Sequence, residues 1–123
     1  MTCRVLVFDD ELVVHTDFLA HLDADFVYRA NADDAVADVE AVRPDIVLMD
    51  FSMNAKRSGA DAVQILREHY GYDRLPIVAI SSDTRLNRKM CMVGATVGIA
   101  KMALPVAFDQ IVVGVCRRGD ATG

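Results

Sequence analysis

The stretch DIVLMD, Asp45 to Asp50, decides the fold. Ile46, Val47, Leu48 and Met49 are apolar without interruption, and the run stops at an aspartate. A strand with one wet face alternates apolar and polar residues. An unbroken apolar run therefore reads as a strand buried on both faces, the kind found in parallel sheets covered by helices. Asp50 then stands where the chain leaves the core, at the strand's C-terminal end, and a basic polar loop with Lys56, Arg57 and Ser58 follows it.

The flanks repeat the pattern. RVLVF (4–8) is a β-rich apolar run, followed by Leu12, Phe18, Leu19 and Leu22 on one expected helical face. FVYR (26–29) is a second strand. Ala32, Ala35, Val36, Val39 and Val42 have helical spacing, with Asn31 as the expected N-cap and Pro44 as the stop. GADAVQILREHY (59–70) is a third helix with Ala62, Val63, Leu66 and Tyr70 inward. IVAIS (77–81) is strand four, and TRLNRKMCMVG (84–94) is a helix closed by Gly94. TVGIA (96–100) is strand five. VAFDQIVVGVC (106–116) is the last helix, with Phe108, Ile111, Val112 and Val115 in one stripe. Five strand–helix units in alternation, joined by right-handed crossovers, predict a doubly wound α/β domain with helices on both faces of a parallel sheet.

A chain of 123 residues has room for one domain, and 53% hydrophobic with 25% charged residues is a globular composition, not a disordered one. The boundaries expected are 1–118 for the domain and 119–123 for a flexible C-terminal tail. No second domain is expected to follow. A net charge of −5 argues against nucleic acid and against an anionic membrane surface, since both need a basic face. No apolar run approaches the roughly 18–20 residues that span a bilayer, and acids interrupt the N-terminal run too early for a signal peptide. The cytoplasm is the expected location. Cys3, Cys91 and Cys116 are odd in number and widely spaced, so they are expected to be reduced, small hydrophobes.

Ligands of such sheets bind outside the carboxyl ends of the strands. Strand one ends in Asp9, Asp10 and Glu11, strand three in Asp50, strand four in Ser81, Ser82 and Asp83, and strand five in Lys101. Any one acid could simply cap the next helix, as Asp10 or Glu11 could. Four strand ends with complementary groups are a set. Clustered carboxylates repel, and a hard cation such as Mg²⁺ relieves the repulsion through oxygen ligands. A metal with a lysine is also what a phosphoryl group needs, and an aspartate can accept that group covalently.

These residues resemble the receiver domain of two-component response regulators, over about residues 3–117. VLVFDDE is similar to its acidic-pair motif, PDIVLMDFSM to its phosphoacceptor motif, LPIVAISS to its fourth-strand hydroxyl motif, and GATVGIAK to its terminal lysine motif. The resemblance implies a flavodoxin-like fold with strand order 2-1-3-4-5. It implies that Asp50 accepts a phosphoryl group from a histidine kinase or phosphotransfer protein. It further implies that Asp10 binds Mg²⁺ directly, Asp9 through water, and the Ser52 carbonyl completes the protein ligands. Ser81 would donate to the aspartyl phosphate, and Lys101 would pair with its oxygens and with Asp50 beforehand. Output would pass to a downstream protein through the face of the fourth helix, fifth strand and fifth helix, from a monomer or weak homodimer. The chain would catalyse only its own phosphorylation and dephosphorylation, so it would not be a conventional enzyme.

Three departures stand out. Gly98 occupies the place of the family's aromatic, three residues before the lysine. Met102 follows Lys101 where a cis proline is usual, and a cis bond there would cost about 2.5–4 kcal/mol, so a trans bond or altered loop is expected. Asn54 replaces a proline, and Gly59 lies nine residues past Asp50 rather than eight. The basic loop between them reads as solvated surface, with attraction of an acidic partner as the lesser reading. His15 reads as packed or partner-facing rather than as a phosphohistidine, and His21 and His69 as ordinary helix residues. Met90, Met92 and Met102 read as core or as an adaptable binding surface. The rival readings are a pseudoreceiver that binds partners constitutively and, further off, a small phosphatase with an aspartate nucleophile. The phosphatase type carries a second acid two residues after its nucleophile, where this chain has Ser52.

Overall fold

A computed structural model describes residues 2–122, apart from the side chains of 113 and 115–122. Val115, Cys116 and the expected tail at 119–123 therefore lie outside what is described of the side chains. Five strands, β1 (Arg4–Phe8), β2 (Asp25–Arg29), β3 (Ile46–Met49), β4 (Ile77–Ala79) and β5 (Val97–Gly98), form one parallel sheet in the order 2-1-3-4-5. The helices are α1 (Ala35–Val42), α2 (Gly59–His69), α3 (Thr84–Met92) and α4 (Leu104–Thr122). The fold is the flavodoxin-like one, with α3 and α4 in the places of the expected fourth and fifth helices.

Alternate residues of each central strand feed two cores. Leu6, Phe8, Val47, Met49, Ile77 and Ala79 pack with Val39 of α1, Leu66 of α2 and Met90 of α3. Val5, Val7, Ile46, Leu48, Val78 and Ile80 pack on the other face with Leu12, Leu19, Leu104 and Phe108. Burial on both faces is why β3 reads as an apolar run.

The first expected helix does not form. Residues 10–14 are turns, and Thr16–Phe18 is a single 3-10 turn. The carbonyls of Glu11, Leu12 and His15 accept from amides three residues on, not four. Asp9 Oδ1 takes the amides of Glu11 and Leu12 at 2.8 and 3.1 Å, offering the backbone a local turn instead. Val13, Val14 and Thr16 are β-branched and poor helix formers. The apolar spacing still reported burial, since Leu12 and Leu19 are core residues.

Other expectations shift locally. Asn31 does not cap α1; its Oδ1 accepts the Asp33 amide at 3.1 Å in a turn before the helix, and Asp34 is the N-cap residue. Strand five shrinks from 96–100 to two residues; Ile99 still donates to the Ala79 carbonyl, and after Ala100 the chain turns into a 3-10 segment, Lys101–Ala103. Cys3 is disulfide-bonded, against the expectation of three reduced cysteines, while Cys91 is free. Spacing along the chain does not say which thiols a fold brings within bonding distance. No helix among the described residues is long and apolar enough to cross a membrane.

Candidate functional site

Register assembles the site. Phe8 pairs with Met49, Met49 with Ala79, and Ala79 with Gly98, so the strands end flush. The next residue outward is Asp9 on β1 and Asp50 on β3. The Asp50 amide donates to the Phe8 carbonyl at 3.0 Å, which fixes the two aspartates side by side. Asp9 is fully buried and Asp50 is 5% exposed. Lys101 reaches them from the turn after β5.

The lysine binds three carboxylates. Its Nζ lies 2.8 Å from Asp9 Oδ2, 2.9 Å from Glu11 Oε1 and 3.5 Å from Asp50 Oδ2. Its nearest partners are thus Asp9 and Glu11 rather than Asp50. The Asp9 contact is close but off-line for a hydrogen bond, which leaves Oδ2 without a directed partner. Burial works against the Lys101 charge. The close ion pair with Asp9, the hydrogen bond to Glu11 and the charge of Asp50 outweigh it and hold the pKa above its ordinary value. The Glu11 carboxyl is lowered, chiefly by its hydrogen bond to Lys101. Asp50 goes the other way. Burial first and the Asp9 charge second raise its pKa to about 6, against the counteracting charge of Lys101. A carboxylate of that pKa is mostly ionised at neutral pH and more basic than an ordinary aspartate, which suits a nucleophile.

Oxygens of Asp9, Glu11 and Asp50 lie within 4.8 Å of one another. The donor set is all oxygen, and the buried Asp9 Oδ2 lacks an aligned donor, so the residues present fit a hard divalent cation. Asp10 is not part of this group. Its Oδ2 instead accepts the Asn54 amide at 3.3 Å, tying the β3–α2 loop to β1. Ser52 lies exposed in that loop, two residues past Asp50. Ser81 is 5% exposed, and its Oγ accepts the Asp83 amide at 3.1 Å.

The loop after Asp50 is anchored within the molecule. Asp33 accepts the amides of Lys56 and Arg57 at 3.5 and 3.1 Å, and Arg57 Nη1 donates to the Asp33 carbonyl at 2.7 Å. Ser58 and Asp61 form a reciprocal cap on α2. Gly59 then runs against the end of β3: a Cβ there would lie 2.0 Å from the Asp50 carbonyl oxygen. The extra residue before this glycine is absorbed by the pinned loop, and the close approach is kept.

Lys101 is positioned without a cis bond, since none occurs among the described residues. The Lys101–Met102 peptide is trans, one of the two outcomes expected, and opens the Lys101–Ala103 turn. His15, His21 and His69 are exposed. Met90 is core, whereas Met92 and Met102 are exposed. Sequence reasoning assigns no specific role to Glu11 in the site, or to Asn87, which lies outside the cluster of carboxylates and lysine. Glu11 belongs to the acids expected at the end of strand one, with helix capping as its alternative, and the turn that Asp9 sets up carries it to Lys101. Asn87 is a buried amide on α3, and its signal was a polar residue three before the core Met90.

A parallel sheet of this order, with buried carboxylates facing a lysine at its C-terminal edge, defines a doubly wound α/β domain with an acidic site at its strand ends. The family model of the response regulator receiver domain matches residues 5–112, and the chain belongs to that family. Solved structures agree on the fold. The chain is similar to chemotaxis protein CheY4 of Vibrio cholerae, at 22% identity and TM-score 0.75 over 94% of this chain and 99% of that one. It is similar to the receiver domain of sensor histidine kinase PA1611 of Pseudomonas aeruginosa PAO1, whose active-site cleft holds a magnesium ion. The identity there is 22% and the TM-score 0.78, over 94% of this chain and 98% of that one. It also resembles a two-component response regulator/GGDEF domain protein, at 24% identity and TM-score 0.79 over 95% of this chain. The chain spans half the length of that protein and 29% of NtrX from Brucella abortus, another match. None of the curated proteins matches.

Proposed function

We propose that this receiver domain is a phosphorylation switch centred on Asp50. The observation that carries this is the buried Asp50 carboxylate, with its pKa raised to about 6, beside Asp9 and within 3.5 Å of Lys101. An Asp50 oxygen attacks the phosphorus of a phosphohistidine on a histidine kinase or phosphotransfer protein. The O–P bond forms as the P–N bond breaks, and the departing imidazole takes up a proton. Lys101 leaves Glu11 for the phosphoryl oxygens, because a dianionic phosphate outcompetes a solvated carboxylate. Asp9 and Asp50 would hold Mg²⁺, with Asp10 and the Ser52 carbonyl joining on small movements of their loop. The bound ion supplies charge neutralisation to the transferring group. Ser81 turns its hydroxyl from the Asp83 amide to the phosphate. The domain catalyses only its own phosphorylation and dephosphorylation. Its downstream protein target docks on α3, β5 and α4, where Met92, Val97, Met102 and Val106 are exposed.

One observation favours the pseudoreceiver instead. Lys101 is engaged by Asp9 and Glu11 more tightly than by Asp50. A titration with beryllofluoride and Mg²⁺, followed by amide chemical shifts, separates the two. The switch predicts a saturable response in wild type that is absent from Asp50→Ala. No response in wild type, or the same response in the variant, eliminates the switch.

A further inference from the structure

We infer that Asn87 couples the Ser81 loop to β5, doing by hydrogen bonds what an aromatic at position 98 cannot do here. The inference rests on the phosphoacceptor reading of Asp50.

Asn87 projects from the inner face of α3 and is 5% exposed. Its Oδ1 accepts the Ser81 amide at 2.7 Å, and its Nδ2 donates to the Ser81 carbonyl at 2.9 Å. The same Nδ2 donates to the Ile99 carbonyl at 3.2 Å. One planar amide thus brackets the Ser81 backbone from both sides and ties it to β5, two residues before Lys101. Both of its N–H donors are used, so the bonds cannot be rearranged without leaving a buried polar group unpaired.

Gly98 is the other half of the device. A Cβ at that position would come within 2.8 Å of Asn87 Cβ. The bare glycine is what gives Asn87 its place, and any larger residue would displace it. The departure from the family at position 98 and the buried polar residue on α3 are therefore one feature.

The geometry gives the coupling a direction. The Ser81 hydroxyl accepts the Asp83 amide, and Asp83 in turn caps the first turn of α3 through the Arg85 amide. If Ser81 moves toward a phosphoryl group on Asp50, it draws Asn87 with it. Asn87 then pulls on Ile99, so that α3 and β5 shift together. Met92 and Val97 are carried on those segments, and Met102 follows β5 in the Lys101–Ala103 turn. Asn87 is a positioning residue in this scheme, since it acts through Ser81 and Ile99.

The test uses isotope-labelled full chain in wild-type, Asn87→Ala and Gly98→Ala forms, titrated with beryllofluoride and Mg²⁺. In wild type, amide shifts should change at Asp50, at Ser81 and across 97–102. Asn87→Ala should still bind beryllofluoride and still shift at Asp50, while the changes across 97–102 fall at least about fivefold, the lower end of ordinary coupling. Gly98→Ala keeps the amide but crowds it, and should lose the same changes even if Asn87→Ala proves too unstable to study. A purely structural Asn87 would alter stability without separating the two sets of shifts. Wild-type-sized changes across 97–102 in either variant overturn the coupling alone. A wild type that does not respond at Asp50 overturns the phosphoacceptor reading, and the coupling with it.

Discussion

At the end of β3 the chain is held through backbone contacts, whereas β5, bonded to β4 through the amides of Thr96 and Ile99, is fastened by side chains as well. The Asp50 amide bonds the Phe8 carbonyl, the Gly59 amide bonds the Phe51 carbonyl, and Gly59 packs directly on the Asp50 peptide. β5 is two residues long. Arg67 donates to the Gly94 carbonyl at 2.6 Å and to Thr96 Oγ1 at 3.2 Å, and Asn87 holds Ile99. Backbone contacts leave little slack, so the Asp50 end is the fixed one. Side-chain contacts can exchange partners, so the β5 end has fastenings that can be rearranged while its backbone bonds to β4 persist.

The sharpest way to break this comparison is Gly59→Val. Its new side chain meets backbone, which cannot rotate away, so it should cost about 3 kcal/mol of stability in urea denaturation and abolish the beryllofluoride response. A value near zero would mean that α2 is not seated against β3. Arg67→Ala attacks the other region. It removes donors to the carbonyls of Gly94, Tyr70, Gly71 and Leu75 and to Thr96, with a cost of about 2 kcal/mol. Because this fastening is peripheral to Asp50, beryllofluoride binding should survive it.

Asp50→Asn tests the electrostatics of the fixed end. The Asp50 carboxyl has an ordinary value of 3.8 and is raised to about 6 on folding. The folded state therefore holds its proton longer than the unfolded chain, and stability falls as pH rises from about 4 to 6. Removing the charge should stabilise the metal-free protein by about 2 kcal/mol at pH 7, with the gain vanishing below about pH 4. A gain independent of pH would exclude ionisation of Asp50 as its cause. Glu11→Gln should have the smallest effect, under about 1 kcal/mol, because the carboxylate is exposed and screened. Its informative readout is Lys101, whose Nζ should titrate at lower pH by NMR and move toward Asp50 once its competitor is gone.

Much of the molecule was legible in advance because a doubly wound sheet writes itself locally. Runs such as Ile46–Met49 and Val5–Phe8 announce strands buried on both faces, and Asp50, Asp9 and Lys101 follow at their ends. Helix identity was less legible. The spacing of Leu12 and Leu19 marks burial, but turns carry them as well as a helix would, and the choice fell to Asp9 Oδ1 and three β-branched residues. Asn31 failed as a cap for a similar reason, since its side chain found a nearer amide.

What the sequence determined by itself was the order of elements, the sheet they build and the edge on which the acids and the lysine collect, because those depend on local periodicity and on the polarity of strand ends. The tertiary structure alone decided which groups pair there. Lys101 lies 90 residues from Glu11 and 51 from Asp50, and its choice among the carboxylates depends on ångström differences after packing. It also decided that Gly98 makes room for Asn87, because the meaning of a missing side chain is the atom that occupies its space.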